Sequence, residues 1–219
     1  MTILFSVLSC IITYFVGAIP TGYIAGRLFK GIDIREHGSK NMGATNVFRV
    51  LGKGPGIVVL VIDILKGGLP VTILANAFGL SDPLLLMILG ITAVAGHNWT
   101  IFLGFKGGKG VATTLGVLIG LALQIPGLRP VLLLTVSVWL ILFLLFGYVS
   151  LASMAAAVAL PVFMVNFNAP FPLKVMSIFL CLFIVFRHRA NLTRLLQGKE
   201  SRFTIIPFKK KADSLPSKK

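Results

Sequence analysis

A short glycine-rich, cationic stretch lies between two apolar segments near the middle of the chain. Residues 104–110 read GFKGGKG and contain four glycines and two lysines, Lys106 and Lys109. Glycine permits positive φ and close approach to the backbone, so successive N–H groups can curve into an anion-binding nest. The apolar run after Gly110 predicts a helix whose N-terminus also favours a negative group. A phosphate group matches all three features, and the alternative is a flexible turn with two snorkelling lysines.

A second polar stretch has the same character. Residues 38–46 read GSKNMGATN, and an arginine follows at position 49. Small hydroxyl and amide side chains donate hydrogen bonds, and arginine grips phosphate through two parallel hydrogen bonds. The alternative is an ordinary polar loop that caps the next helix, but two glycine-rich cationic loops on one face favour a phosphate site. The candidate ligands are Ser39, Asn41, Thr45, Asn46 and Arg49, together with Lys106, Gly107, Gly108, Lys109 and Gly110 of the first stretch.

Histidines, serines and one amide supply the other candidates. His97 ends a predicted span, where a structural histidine is the more common occurrence, and its apolar setting demands a polar partner in either case. Ser150 and Ser153 can donate to an oxyanion, although capping of the next helix is the favoured interpretation. His188 and Asn191 are three residues apart and share a helix face. Arginines around them are also expected at a cytoplasmic membrane edge.

One acid–base pair lies inside a predicted span. Asp63 and Lys66 are three residues apart, and such a pair is costly in a membrane unless it faces the protein interior. We interpret it as a structural ion pair that positions the loops, with a proton relay as the alternative.

Several sites are not indicated by the sequence. A nucleotide P-loop needs four residues between its first two glycines and a hydroxyl after the lysine, and neither is present at residues 104–110. No acid lies five residues after a histidine, as a histidine–aspartate acyltransferase box would require. The three histidines and six acids are scattered, so we predict neither a metal site nor a cofactor.

The composition is that of a polytopic membrane protein. The 219 residues are 56% hydrophobic and only 12% charged, against about 25% charged residues in soluble domains. A membrane span needs about 20 apolar residues. The sequence therefore predicts an all-α, polytopic membrane helix bundle with about seven transmembrane helices. The predicted segments are 3–24, 56–78, 83–103, 111–125, 130–147, 151–167 and 173–186, of which 111–125 and 173–186 are short enough to leave five spans as the alternative.

The lysines and arginines set the predicted orientation. All but three of the 21 fall in loops on one side or in the tail, the exceptions being Lys66, Arg129 and Lys174. The positive-inside rule then places the N-terminus outside and the C-terminus in the cytoplasm. Residues 1–200 form one integral-membrane domain, and residues 201–219 are expected to form a basic, flexible cytoplasmic tail at an anionic lipid surface.

These stretches together resemble the bacterial acyl-phosphate-dependent glycerol-3-phosphate acyltransferase family. The matching segments are GSKNMGATNVFR at 38–49, DILKG at 63–67, GHNWTIFLGFKGGKGVAT at 96–113, YVSLAS at 148–153 and RHRANLTRLLQGKE at 187–200. One departure is Lys40, where the family usually has glycine. The resemblance implies a multi-pass enzyme of the bacterial cytoplasmic membrane, functional as a monomer, with its active site facing the cytoplasm and no nucleic-acid partner.

The reaction that the resemblance implies is acyl transfer from acyl phosphate to the 1-hydroxyl of glycerol 3-phosphate, giving lysophosphatidic acid and phosphate. Both substrates carry phosphate, one carries a fatty chain, and the product is a membrane lipid, which agrees with cationic loops beside apolar helices.

The resemblance also assigns roles to the candidate residues. Ser39, Arg49 and Lys109 would grip phosphate, and the glycines of residues 107–110 would cradle the acyl phosphate. His188 and Asn191 would hold glycerol 3-phosphate, with Ser150 or Ser153 near the reacting carbonyl. His188 or a substrate phosphate would accept the proton.

A transporter or channel for small phosphorylated anions is the rival hypothesis. It predicts polar residues along an open path and helix breaks at mid-membrane. The polar residues of this sequence cluster on one face instead, which favours an enzyme.

Overall fold

The computed structural model describes residues 2–203, and within that range the chain is helical with no β-strand. The predicted tail lies outside the described residues from position 204 onward. The α-helices are α1 (Thr2–Ala18), α2 (Thr21–Lys30), α3 (Ala44–Leu51), α4 (Lys53–Leu69), α5 (Ala75–Ala77), α6 (Pro83–Asn98), α7 (Val111–Gln124), α8 (Arg129–Phe146), α9 (Val149–Asn166), α10 (Phe171–Arg187) and α11 (Arg189–Leu196). A π-helical turn, Pro70–Leu74, joins α4 to α5.

Local sequence signals explain several helix ends. The Asp82 carboxylate accepts the N–H groups of Leu84 and Leu85 at 2.8 and 3.3 Å, and it caps α6 just ahead of Pro83. The C-terminal end of α8 is capped by Gly147, whose φ of 72° is the left-handed conformation that glycine adopts without strain.

The first apolar segment is two helices rather than one. Pro20 has no N–H, and the helix breaks there between α1 and α2. The break frees backbone carbonyls, and buried side chains satisfy them. Thr100 Oγ1 donates to the Ala18 carbonyl at 2.6 Å, and Lys66 Nζ donates to the Ile19 carbonyl at 2.9 Å. The predicted span over 3–24 therefore contains a break at residues 19–20, although Ile3–Lys30 as a whole has the length and hydropathy of a membrane span.

All seven predicted apolar segments are helical, but fewer meet the length of a membrane span. Five stretches are long and apolar enough: Ile3–Lys30, Lys53–Ala77, Pro83–Leu103, Pro126–Phe146 and Val149–Asn166. A sixth is counted if α10 and α11, which meet at 57°, form one span. The remaining helix, α7, has only 14 residues. Large apolar side chains such as Leu133, Leu145 and Leu182 face outward from these helices, as lipid-facing surfaces require.

Glycines bring α7 against α4. A Cβ on Gly116 would overlap the Ile64 carbonyl oxygen and lie 3.0 Å from the Gly68 nitrogen, and one on Gly67 would overlap the Thr113 carbonyl oxygen. Small residues at such crossings allow helices in a membrane to pack backbone to backbone. The contact places the first turns of α7 beside the C-terminal part of α4, from Ile64 to Gly68.

A polar cluster is buried at the same level. Asp63 and Lys66 are 1% and 2% exposed, and Lys66 Nζ lies 2.8 Å from Asp63 Oδ1. The same oxygen accepts the Thr21 hydroxyl at 2.5 Å. The pair therefore joins the start of α2 to α4, in agreement with our interpretation of a structural ion pair that positions loops.

The apolar core fills the end of the bundle away from the cationic loops. Its fully buried members include Val71, Leu121, Met164, Leu173 and Met176. The polar loops meet at the opposite end, where α3, the start of α7, the α8–α9 turn and the α10–α11 break surround a cavity.

Candidate functional site

The cavity has a volume of about 400 Å³ and contains most of the candidate residues. The candidates in its lining come from five separate stretches of the chain, so the helix packing has brought together segments that are distant in sequence. The candidate residues in its lining are Ser39, Asn41, Thr45, Asn46, Arg49, His97, Lys109, Gly110, Ser150, Ser153, His188 and Asn191. Arg49, Lys109 and His188, the three on which the hypothesis of a shared phosphate site most depends, all face this one space.

Part of the glycine-rich loop has a different task from the predicted nest. The N–H groups of Gly107 and Gly108 donate to the Asn98 and His97 carbonyls at 3.0 and 3.1 Å, at the end of α6. Neither glycine lines the cavity, and Lys106 is exposed outside it. The loop is held against α6, and the residues that it presents to the cavity, Lys109 and Gly110, are those nearer to α7.

Glycine is required here by close approach. A Cβ on Gly108 would overlap the imidazole of His97, and one on Gly107 would overlap the His97 carbonyl. Arg187 supports the loop from the other side, since its guanidinium donates to the Gly108 carbonyl at 2.6 Å and to the Gly107 carbonyl at 3.3 Å.

The start of α7 presents free backbone donors to the cavity. Gly110 precedes the helix with φ of 79°, and the first hydrogen bond of the helix runs from Thr114 N–H to the Gly110 carbonyl at 2.7 Å. The N–H groups of Val111 and Ala112, both in the cavity lining, come before it. A helix N-terminus of this kind attracts anions through its unpaired donors and its dipole.

Lys109 adds a positive charge at the same point. Its ammonium donates to Asn191 Oδ1, which leaves two further N–H donors for a ligand. Burial lowers the pKa of Lys109 to about 8; the Glu200 carboxylate opposes this shift, while nearby arginines add to it. The ammonium is thus charged at neutral pH but close to its titration.

Glu200, which the sequence did not single out, connects the site residues. Its Oε1 accepts the Ser150 hydroxyl at 2.7 Å and the Asn191 amide at 2.6 Å, and its Oε2 accepts Arg194 Nε at 2.7 Å. Burial alone would raise the pKa of this carboxyl, but the three hydrogen bonds outweigh it and hold the pKa below its ordinary value. Glu200 is ionised, and it fixes the amide that holds Lys109.

The loop at residues 38–43 and helix α3, which follows it, place Ser39 and Arg49 at the cavity. Asn46 organises this loop, since its Oδ1 accepts the Ser39 N–H at 2.8 Å and its Nδ2 donates to the carbonyls of His37 and Asn41 at 3.0 and 2.8 Å. The Asn46 side chain is thus committed to the backbone. Among the residues that the structure describes, Arg49 donates one hydrogen bond, to the Ser201 carbonyl at 3.1 Å.

Ser150 and Ser153, at the start of α9, do not cap that helix, contrary to the interpretation that the sequence favoured. The N-cap is Tyr148, and no side chain caps that helix end. Ser150 donates to Glu200, whereas Ser153 donates back to the Val149 carbonyl at 2.7 Å and accepts the Trp139 indole N–H at 3.1 Å. Ser150 therefore belongs to the polar network around Glu200, whereas Ser153 contacts the indole of Trp139.

The two histidines have different surroundings. His188 lies at the break between α10 and α11, and its Nδ1 is 2.8 Å from the Ile184 carbonyl. A carbonyl can only accept, so Nδ1 carries the proton and Nε2 is left as the possible acceptor. His97 is 3% exposed, and its Nδ1 lies 3.7 Å from Asp63 Oδ1 without forming a hydrogen bond.

The other half of the lining is apolar. It comes from α4, α7, α8 and α9, through Leu60, Ile64, Leu115, Leu118, Val136, Leu140, Ala156 and Leu160. Val136 and Leu140 also face outward, at 38% and 47% exposure. α8 packs chiefly against α9, and α4 chiefly against α7. Val136 and Leu140 thus belong to the cavity lining and are exposed as well.

The fold and the cavity define an integral-membrane helix bundle in which cationic and polar side chains line one part of a cavity and apolar side chains line the rest. Comparisons with known proteins agree with this class. A family model described as glycerol-3-phosphate acyltransferase matches residues 7–198. The glycerol-3-phosphate acyltransferase of Fusobacterium nucleatum is 44% identical over 195 residues, which cover 88% of this chain and 95% of the relative. That of Desulforudis audaxviator is 47% identical over 194 residues, covering 88% and 93%.

Two solved structures are also similar. Both are crystal structures of PlsY (YgiH), an integral membrane glycerol 3-phosphate acyltransferase. The glycerol 3-phosphate form is 42% identical with a TM-score of 0.82, covering 91% of this chain and 96% of that one. The lysophosphatidic acid form is 41% identical with a TM-score of 0.79, covering 91% and 95%. The chain belongs to the glycerol-3-phosphate acyltransferase family.

Proposed function

We propose that this chain transfers a fatty acyl group from acyl phosphate to the 1-hydroxyl of sn-glycerol 3-phosphate, giving lysophosphatidic acid and phosphate as the first acylation step of phospholipid synthesis. One observation carries the proposal: a cationic anion site and an apolar channel share one cavity. Such a cavity suits a pair of phosphorylated reactants of which one has a fatty chain. The substrate and product named for the two solved relatives agree with it.

The phosphate groups bind at the polar end. Lys109, the backbone donors at the start of α7 and Gly110 form one half of this site, and Arg49 with Ser39 forms the other half. Charge-assisted hydrogen bonds of this type are the strong ones in proteins. Thr45 and Asn41 complete the wall on the α3 side, and His97 closes the floor.

The acyl chain lies in the apolar channel. Leu60 and Ile64 of α4 face Val136 and Leu140 of α8 across the cavity lining. Because Val136 and Leu140 are also exposed on the outer surface, the chain can enter from the surrounding lipid and the product can leave the same way.

Positioning carries most of the proposed catalysis. The 1-hydroxyl oxygen attacks the acyl carbonyl carbon, the bond from that carbon to the phosphate oxygen breaks, and phosphate leaves with the electron pair. Holding the two reactants in register removes a large part of the entropic contribution to the activation barrier. Fixed charges stabilise the developing oxyanion. Asn191, held by Glu200, orients the ammonium of Lys109. Ser150, whose hydroxyl donates to Glu200, lies near the reacting carbonyl and keeps that carboxylate in place.

The proton of the attacking hydroxyl goes to Nε2 of His188 or to a substrate phosphate oxygen. A single-turnover measurement on His188→Ala separates the two. A chemical step slowed by about 100-fold or more supports His188 as the base. Near-normal chemistry with weakened substrate binding assigns the proton to the phosphate.

We place the protein in the bacterial cytoplasmic membrane, with seven crossings, the N-terminus outside and the cavity facing the cytoplasm. α7 supplies the seventh crossing even though its 14 residues span only about 21 Å. Its start lies at the cavity, whereas Gln124 at its end donates to Asn76 Oδ1 of α5 at 2.6 Å, at the opposite end of the bundle. The cavity floor is accordingly recessed into the bilayer, whose hydrocarbon core is about 30 Å thick.

A monomer surrounded by lipid is the proposed functional unit, because a single chain is sufficient to form the complete cavity. Transport of phosphorylated anions fits less well. Below the cavity, the buried cluster that includes Leu121, Met164 and Leu173 fills the bundle in the described part of the chain.

The test uses the purified full-length protein in detergent. With acyl phosphate and glycerol 3-phosphate, we expect phosphate release in a one-to-one ratio with lysophosphatidic acid, and no thiol release when acyl-coenzyme A replaces acyl phosphate. Flux of glycerol 3-phosphate across sealed vesicles without product formation would refute the proposal and favour transport.

A further inference from the structure

The chain reverses direction after α11. Gly198 adopts φ of 65°, and the N–H groups of Lys199 and Glu200 both donate to the Arg194 carbonyl, at 2.8 and 3.2 Å. The reversal sends the next residues back across the bundle toward α3 and the α8–α9 turn. We call residues 200–203 the C-terminal strap.

The strap first contacts α3. The Ser201 carbonyl accepts a hydrogen bond from the Arg49 guanidinium at 3.1 Å. Two residues later, the Phe203 ring lies 5.6 Å from the Phe48 ring in a perpendicular arrangement of 89°. Edge-to-face pairs of this kind add to the burial of the rings. The strap therefore holds both the arginine and its neighbour on the chain.

The strap then joins the α8–α9 turn. Phe203 N–H donates to the Gly147 carbonyl at 2.7 Å, and its ring lies 6.0 Å from Phe143 of α8. The Arg202 guanidinium donates to the Tyr148 hydroxyl at 3.1 Å and lies 5.2 Å from the centre of that ring. Ser150, which binds Glu200, is two residues further on.

These contacts join two parts of the cavity wall that pack mainly on other partners. The chief partner of α3 is α4, and that of α8 is α9. Between them, the Phe203 ring is in contact with one aromatic ring on each side. The Arg49 guanidinium lies on one wall of the cavity and Ser150 on the other, so the strap sets their separation.

We propose that Phe203 is a positioning residue for the acyl transfer: its ring, wedged between Phe48 and Phe143, holds Arg49 over the cavity at the distance that phosphate binding needs. The inference rests on the proposed function for its chemistry. Residues 201–203, which we predicted to be the start of a flexible tail, make these contacts with α3 and the α8–α9 turn. The family model ends at residue 198, ahead of this segment.

The kinetic test compares four full-length or shortened proteins: wild type, Phe203→Ala, Phe203→Leu and a chain that ends after Phe203. In Phe203→Ala we expect KM for one of the two substrates, acyl phosphate or glycerol 3-phosphate, to rise about fivefold or more, while kcat changes less than about twofold. The reason is that Arg49 loses its alignment but keeps its charge. Leucine should restore most of the affinity, and the shortened chain should match wild type.

Phe171→Ala, at an exposed position at the start of α10, is the matched control. Unchanged KM in Phe203→Ala, or a loss confined to kcat, would overturn the inference.

A second measurement does not depend on catalysis. Nitroxide labels are attached at Lys53→Cys and Leu145→Cys, both exposed, after Cys10 and Cys181 are replaced by alanine. The distance distribution between them should be narrow in the parent protein and broader in Phe203→Ala. An unchanged distribution would refute the strap's role even in an active enzyme. A broadened one in a protein that forms no lysophosphatidic acid would support the strap and refute the proposed function.

Discussion

At the scale of single residues, Lys109 is where the site's charge, hydrogen bonding and helix geometry coincide. Its ammonium is held by Asn191, which Glu200 holds in turn. Lys106 is three residues earlier in the same loop, but it is exposed and outside the cavity. The two lysines therefore form a natural pair of test and control.

Replacing Lys109 by methionine keeps the length of the side chain and removes the charge. We expect kcat/KM to fall by about 100-fold, the size of a lost charge-assisted hydrogen bond to phosphate in a buried site. Steady-state kinetics with both substrates measure it. Lys106→Met should stay within about twofold of wild type, and an equal loss in the two variants would mean that the loop, and not the cavity, carries the phosphate site.

The pH dependence follows from the same lysine. Because the pKa of Lys109 is about 8 in the free protein, the ammonium is charged below that pH and neutral above it. An anionic ligand needs the charged form, so kcat/KM should be level near neutrality and decline above about pH 8. Profiles of wild type and Lys109→Arg decide the point. Arginine stays charged, so its profile, whatever its height, should show no such decline, and a decline at the same pH in both would assign it to another group.

Some of these residue roles were accessible from the sequence and others were not. The cationic glycine loops predicted an anion site, and Arg49, Lys109 and His188 do line one cavity. Glu200 was overlooked because an acid in a basic segment reads as a surface residue, although no other acid occurs between Asp82 and Asp213. That isolation was the available signal.

Backbone conformation explains one departure from the family pattern. Lys40 stands where the family usually has glycine, and its φ is 58°, in the left-handed region that costs a non-glycine residue about 1 kcal/mol or more. The structure thus tolerates lysine at a position that suits glycine better.

At the scale of helices, the α4–α7 contact positions the start of α7 at the cavity. Gly116→Ala would place a methyl group against the Ile64 carbonyl and push the start of α7 away from α4. We expect a destabilisation of about 1–3 kcal/mol, as for other overpacked positions, together with a lower activity. Thermal unfolding in detergent measures the first effect and phosphate release the second.

Gly127→Ala is the matched control, because Gly127 has open space around it and a φ that any residue adopts. If Gly116→Ala and Gly127→Ala unfold at the same temperature, the close α4–α7 packing is not what holds α7 in place.

The helices themselves were the most predictable part of the molecule. Long apolar runs bounded by glycine and proline gave helix positions within a few residues, because lipid forces every backbone group into an internal hydrogen bond. The break at Pro20 was overlooked since the apolar run continues through it, and the carbonyls it frees are satisfied by Thr100 and Lys66, which are distant in sequence. The partners of Gly107 and Gly108 likewise depend on where α6 ends.

At the scale of the whole molecule, the orientation in the membrane can be tested directly. A cysteine-free parent is made by replacing Cys10 and Cys181, and single cysteines are placed at Arg129 and Lys106, both exposed and on opposite ends of the bundle. An impermeant thiol reagent should label Arg129→Cys in intact cells and Lys106→Cys only after permeabilisation, as the positive-inside rule requires. The reverse pattern would place the cavity outside the cell and contradict the proposed use of a cytoplasmic donor.

The proposed entry of the acyl donor beside Val136 and Leu140, which line the cavity and are exposed, decides which concentration governs the rate. A donor that arrives sideways is counted per lipid molecule and not per litre of buffer. Diluting it with inert lipid or detergent, at constant total amount, would slow the enzyme as effectively as removing it, so rates from different preparations are comparable only at equal mole fraction.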